Sequence, residues 1–180
     1  MIQRIRISIL IRIYERILHK DAMKLKIEKY RLHGAKIGEN VRAFSPILSS
    51  ESYMISIGNN VTISTGVKFC THDNSAIKVF ENGTDFVGQI VVGDNSFIGM
   101  NVILGGGVQL PAQCIVGAGS VVTKSFFEEG CVIAGNPARV IGNVENLKRR
   151  YTDNVFNFRG MNAEQKKKEI LRNPEKLIRK

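Results

Sequence analysis

An aliphatic side chain returns every six residues through the middle of this chain, at Val92, Ile98, Leu104, Leu110, Val116 and Val122. Four places after each stands a second inward candidate: Ser96, Val102, Val108, Cys114, Ser120 and Phe126. Gly and polar residues fill most positions between. An amphipathic helix repeats near 3.6 residues and a half-buried strand near 2, so neither keeps a period of six on one face. A hexapeptide repeat does: short flat strands joined by turns wind a parallel β-helix, each strand forming one side of a triangular coil.

The pattern extends towards the N-terminus. Ile57, Ile63 and Phe69 keep the six-residue step, and an earlier coil begins at Ile37-Gly38-Glu39-Asn40-Val41 before a less regular passage through Ser45-Pro46. From Ile37 to Ile57 is twenty positions, one coil of 18 with two residues inserted. Residues 73–89 break the period and are expected to project from one turn, on the face that repeat folds often use for binding. In this register Phe69 lies beneath Leu104 and His72 beneath Gly107, one inter-strand spacing of about 4.8 Å away. Gly105-Gly106-Gly107 would let another molecule approach the backbone, although glycines also serve tight turns. Cys131-Val132-Ile133 makes a last strand, and Gly135-Asn136-Pro137 turns out of the coil.

Both ends read as helix. Within residues 2–33, Ile2, Ile5, Ile9, Ile13 and Ile17 follow helical spacing with Arg4, Arg12 and Arg16 among them. Ile7, Ile11 and Tyr14 widen the apolar arc, as expected of a helix that caps the base of a solenoid. A basic amphipathic helix resting on an anionic membrane surface is the other reading, compatible with the first. Residues 145–180 read as helical in pieces, with Asn162 and Gln165 framing a capping box and Pro174 following the helix. The expected organisation is an N-terminal helical cap (1–33), a β-helix domain (34–142) with the projecting loop 73–89, and a C-terminal helical extension (143–180).

The net charge of +10 is unevenly placed. Residues 1–36 carry ten Lys and Arg against three acids, and 143–180 carry eleven against five; the stretch 37–142 has five against eight. A basic balance invites a nucleic-acid reading, but the repeat region is mildly acidic and holds no nucleic-acid motif. No apolar run reaches the roughly 18 residues of a membrane span. The opening is too interrupted by Arg for a signal peptide, so a cytoplasmic protein is expected. Cys70, Cys114 and Cys131 are odd in number and lack metal-type spacing; Cys114 falls on an inward position as a plain buried thiol.

Three histidines are present: His19, His33 and His72. The first two sit in the N-terminal helical stretch, where packing or solvent is the default. His72 stands at the mouth of the projecting loop beside the glycine turn. An imidazole there could accept and return a proton near neutral pH, or simply bond to turn backbone. A zinc hydratase on the same scaffold needs three converging histidines, and the repeat region has one.

The pieces VGDNSFIGMNVIL, VGAGSVVTK and AGNPARVI, with THD upstream, resemble the left-handed β-helix acetyltransferases, among them the galactoside, maltose and xenobiotic acetyltransferases and the bacterial polysaccharide O-acetyltransferases. The likeness covers about residues 34–142. It implies an all-β fold, a left-handed parallel β-helix of hexapeptide repeats with N- and C-terminal helical segments. It implies a homotrimer that uses acetyl-CoA and no metal, with sites in the clefts between subunits. His72 matches the family's catalytic base, which deprotonates an acceptor hydroxyl for direct attack on the thioester, with backbone N–H groups holding the oxyanion. Met100 and Ala118 match positions that contact the pantetheine arm, Gly106 lies in the glycine turn of the same cofactor site, and Thr123, Lys124 and Arg139 match the adenine and phosphate end.

Phe97 replaces a frequent Trp of the family, and Gly106-Gly107 its usual Pro-Gly turn. The loop 73–89 differs strongly, so acceptor identity does not transfer, and the partner that orients His72 is left open among Asp73, Glu81 and Asp85. The expected function is O-acetylation of a sugar hydroxyl in surface polysaccharide (capsule, O-antigen or exopolysaccharide), with peripheral contact at the inner face of the cell membrane through the basic helix. The alternatives are an N-acetyltransferase of an amino-sugar nucleotide and a non-catalytic β-helix scaffold. Nucleic acid is not expected as a partner.

Overall fold

A computed structural model describes residues 2–17 and 21–179; the reading of His19 lies outside them. Two compact units divide the chain, residues 1–144 and 145–180.

Three parallel sheets form the sides of a prism in the first unit. One side stacks β1 (Lys36–Ile37), β3 (Ile55–Ile57), β8 (Ile90–Val92) and β11 (Gln109–Leu110). The second stacks β2 (Arg42–Ala43), β4 (Thr62–Ile63), β9 (Phe97–Ile98), β12 (Ile115–Val116) and β14 (Cys131–Gly135), with β15 (Ala138–Asn143) added antiparallel. The third holds only β5 (Lys68–Phe69), β10 (Ile103–Leu104) and β13 (Val121–Val122). Most of these strands are two residues long because the corner turns consume the rest of each repeat.

Register follows the period of the sequence. Val92 pairs with Leu110, Ile98 with Val116, and Leu104 with Val122, each 18 positions on. All twelve inward positions of the central run are buried, Ser96 and Ser120 included. Burying a large aliphatic such as Ile98 or Leu104 contributes about 1.5–3 kcal/mol. The two serines survive inside because each bridges polar backbone: Ser96 Oγ takes the Cys114 N–H at 3.1 Å, and Ser120 Oγ takes the Gly135 N–H at 3.1 Å while donating to the Gly117 carbonyl. Cys114 is buried with its sulfur 3.5 Å from that of Cys131, and burial first, then the neighbouring thiol, pushes its pKa well up. Both cysteines are free thiols.

The first coil departs from the repeat. Ile37 pairs with Ile57 and Ala43 with Ile63, an offset of twenty. Its third side has no strand; Ile47 fills the core there, and a 3-10 turn, Ser52–Met54, closes the coil. Between the second and third coils the offset is 35, Ile57 to Val92 and Phe69 to Leu104. The extra residues leave the corner as an antiparallel hairpin, β6 (His72–Asp73) with β7 (Phe86–Val87), carrying a 3-10 turn, Asn74–Lys78.

The N-terminal stretch is not one helix. α1 (Ile2–Arg12) runs on into a π-helical turn, Ile13–Ile17, and α2 (Met23–Leu32) starts afresh where Asp21 Oδ1 accepts the Met23 N–H at 2.8 Å. α2 closes the base of the prism by burying Ile27 and Tyr30 in the common core. α1 lies back along α2, where Arg4 Nε donates to the Leu32 carbonyl and Glu15 meets Lys26, and of its own residues only Ile7 is buried. Capping therefore falls to the second helix, and the isoleucines of the first are largely exposed. His33 ends α2 with its Nδ1 2.8 Å from the Lys29 carbonyl.

The second unit holds α3 from Glu145 onward (Val144–Tyr151) and α4 (Ala163–Arg172). Asn162 and Gln165 make the reciprocal capping box. The lysine run is exposed, with Lys168 paired to Glu164 at 2.9 Å. Among the described residues no helix is long and apolar enough to cross a membrane.

Candidate active site

One corner of the prism, where the third side turns into the first, gathers the irregular pieces of successive coils. From the base upward these are the Ser49–Met54 turn, the His72 hairpin, the Gly105–Gly107 turn and the Thr123–Ser125 turn. A cavity of about 620 Å³ opens there, lined by Cys70, His72, Asp73, Asn74, Phe86–Gly88 and the three glycines.

His72 is held by a residue that sequence reasoning missed. Its Nδ1 lies 2.8 Å from Glu51 Oε2, and the same oxygen accepts the Thr71 hydroxyl at 2.8 Å. Thr71 is fully buried and also bonds to the Ser49 hydroxyl, so the donor that holds the carboxylate is itself fixed. The hydrogen bond His72 donates to Glu51, followed by that carboxylate's charge, raises the pKa of His72 above the usual imidazole value, with smaller contributions from Asp85 and Asp73. Glu51 is lowered in return, first by the Thr71 hydroxyl and then by His72. With Nδ1–H donated to Glu51, Nε2 is the ring atom left to take a proton from a ligand.

A signal for Glu51 did exist. It is the only acid between Glu39 and Asp73, and the first coil's offset of twenty sets it beneath Thr71. Two candidates weighed from sequence, Asp73 and Asp85, act on His72 only through charge: Asp73 Oδ1 accepts the Ser75 N–H at 2.9 Å, and Asp85 lies 3.4 Å from the Asn74 amide.

The register expected for His72 needs correcting. The chain directly against Gly107 is Gly88, where the hairpin returns, its N–H bonded to the Thr71 carbonyl at 2.8 Å. A Cβ on Gly88 would stand 2.2 Å from the Gly107 nitrogen, so glycine is required for the two backbones to meet. His72 is therefore displaced to the hairpin's root, where it shares the cavity with the glycine turn instead of lying beneath it.

The other candidate residues divide between two corners. Gly106 lines the His72 cavity, and Thr123 and Lys124 stand in the turn above it, tied down by Ser125 Oγ donating to the Gly107 carbonyl at 3.2 Å. Met100 and Ala118 lie on the next corner, where the second side turns into the third; there the Gly119 N–H donates to the Met100 carbonyl at 2.7 Å. Arg139 is at that corner too, opposite Ala134 in the closing hairpin and exposed. The β5–β10–β13 side separates the two groups, so within one chain Met100, Ala118 and Arg139 are not brought to His72. Gly107 and Gly119, with φ of +84° and +71°, have open space where a Cβ would be, leaving a bare backbone on both corners. Among the described residues no group of three or more His, Cys, Asp or Glu could hold a metal ion.

Known proteins share this architecture. The bacterial transferase hexapeptide family (six repeats) matches residues 89–124. Protein CapG of Staphylococcus aureus is 37% identical over 149 residues, which span 79% of this chain and 86% of that protein. Galactoside O-acetyltransferase of Escherichia coli (strain K12) is 31% identical over 116 residues, 64% of this chain and 57% of that protein. The solved structure of a galactoside acetyltransferase in complex with coenzyme A superposes with a TM-score of 0.55 at 22% identity, covering 89% of this chain and 87% of that one, a likeness of fold.

Proposed function

The chain belongs to the hexapeptide-repeat transferase family and, with relatives named as acetyltransferases, is an acyltransferase; from that premise we propose that it moves an acetyl group from acetyl-CoA to a sugar hydroxyl of a surface polysaccharide or its precursor. The observation that carries this reading is His72, held by Glu51, facing a side-chain-free glycine turn across one cavity. The names of the relatives support acetyl transfer to a sugar, and the coenzyme A complex of the structural neighbour supports the donor. The proposal includes the family's left-handed winding, a cytoplasmic setting, and the division into cap, β-helix and C-terminal extension.

Bound acetyl-CoA supplies the activated acetyl group. His72 Nε2 takes the proton of the acceptor hydroxyl as its oxygen bonds to the thioester carbonyl carbon, and returns it to the departing sulfur. Glu51 fixes the tautomer and steadies the imidazolium formed in passing. The Gly106 N–H meets no acceptor among the described residues and is suited to the developing oxyanion. Lys124 and Arg139, two of five cations in residues 37–142, would meet the donor's phosphates, and Met100 and Ala118 its pantetheine arm.

Because those two strips stand on different corners, the reading needs a neighbouring copy of the chain, and the assembly proposed is a homotrimer. One chain's Met100–Ala118–Arg139 corner would face the His72–Gly106–Lys124 corner of its neighbour, completing a site that neither holds alone. Phe97, Met100 and Ile103, all partly exposed along the outer surface, suit such a contact.

The test is thiol release from acetyl-CoA with a panel of glycan acceptors, for the wild type and His72→Ala. The expected result is sugar-dependent turnover that falls by roughly 10²–10⁴-fold in the variant, with unchanged circular dichroism because His72 is half exposed. Turnover indifferent to the imidazole, or absence of coenzyme A binding by calorimetry, overturns the reading.

A further inference from the structure

Helix α1 presents most of its apolar surface to solvent. Ile2, Ile5 and Ile9 are 67%, 54% and 52% exposed. At 100° per residue they share about 60° of arc, on the side opposite the buried Ile7. Arg6 and Arg12 flank this stripe and are exposed. The π-helical continuation adds exposed Arg16 and Ile17. No acid occurs before Glu15, and that carboxylate is engaged by Lys26 at 2.5 Å.

We infer that this face docks on an anionic lipid bilayer, the isoleucines entering the boundary between headgroups and acyl chains while the arginines meet lipid phosphates. An apolar stripe bordered by cations is the arrangement of helices that lie in a membrane interface. Charge decides between occupants. A second copy laid on the same face would set Arg6 and Arg12 against their own equivalents with no acid to relieve them, a contact that like charges oppose. An anionic surface attracts each of them. The β-helix stretch 37–142 is mildly acidic, with five cations against eight acids, and so adds no net attraction of its own to an anionic surface. The inference does not depend on the reaction proposed above.

Co-sedimentation of the full chain with vesicles tests it. Vesicles of phosphatidylglycerol mixed with phosphatidylcholine should bind on the order of tenfold more tightly than phosphatidylcholine alone. The double variant Ile5→Glu/Ile9→Glu should lose binding to both. Arg6→Gln/Arg12→Gln should lose the preference for the anionic vesicles while keeping its fold, which guards against a misfolded Glu variant. Molar mass by light scattering should be the same for all three proteins. Equal binding to both vesicle types, full binding by the Glu variant, or a change in molar mass that assigns the face to a protein contact would each overturn the inference.

Discussion

Two corners of the same prism meet solvent in opposite ways. Where the first side turns into the second, the polar groups are used up on one another: the Glu39 N–H donates to Asn59 Oδ1 at 2.9 Å, and the Asn59 N–H donates to Asp94 Oδ1 at 2.8 Å. Asn40, Asn60, Asn95 and Gln113 take the left-handed conformation that these turns need, at φ of 56–57°. Asp94 is held below the usual carboxylate range chiefly by the Asn59 N–H. Where the third side turns into the first, an irregular first coil and an inserted hairpin interrupt the ladder. There Glu51 bonds to His72, and His72 still faces a cavity. A regular corner satisfies itself; an interrupted one has chemistry to spare.

The largest expected effect is at the interrupted corner. Glu51→Gln should lower kcat by roughly 10–100-fold, part of what a positioned base contributes. It should also displace the pH profile. Glu51 holds the pKa of His72 above its ordinary value, and the base must be neutral to act, so wild-type activity rises with pH through that elevated pKa. Without the carboxylate the acidic limb should move to lower pH. A profile that stays in place would show that the pair has no part in proton transfer.

Gly88→Ala comes next. Its Cβ would meet the Gly107 backbone at 2.2 Å, where no flexible side chain can yield, so a stability loss of about 1–3 kcal/mol is expected by denaturant titration. KM should rise as the glycine turn shifts. Wild-type stability in the variant would mean that the hairpin returns by a different path.

The smallest effect belongs to the regular corner. Asn59→Ala removes the acceptor for the Glu39 N–H and should cost about 0.5–1.5 kcal/mol, read as a lower Tm with kcat/KM unchanged. A loss of activity there would erase the distinction between the corners.

Much of the fold is legible in residues taken in order, because a β-helix is nearly one-dimensional and each strand contacts the same position one coil away. The inward run from Val92 to Phe126, the twenty-residue first coil and the capping box at Asn162 all follow from spacing. The helical ends were less legible. Periodicity marks Ile2, Ile5 and Ile9 as one face but is silent on whether anything covers it, and the break at Asp21 is a side-chain bond that period does not record.

What the sequence alone determined is the repeat, since a six-residue hydrophobic period admits few ways of burying it, together with His72 as the one histidine of the repeat region. What tertiary structure decided is how that histidine is held and what surrounds it. Glu51 comes to His72 because a strandless side of one coil stacks under the root of the next coil's hairpin, and Gly88 displaces His72 from beneath Gly107 because that hairpin must return to the ladder. Both outcomes depend on where irregular backbone leaves and rejoins the stack, and the path of such segments is fixed by contacts between coils, not by the identities of neighbouring residues.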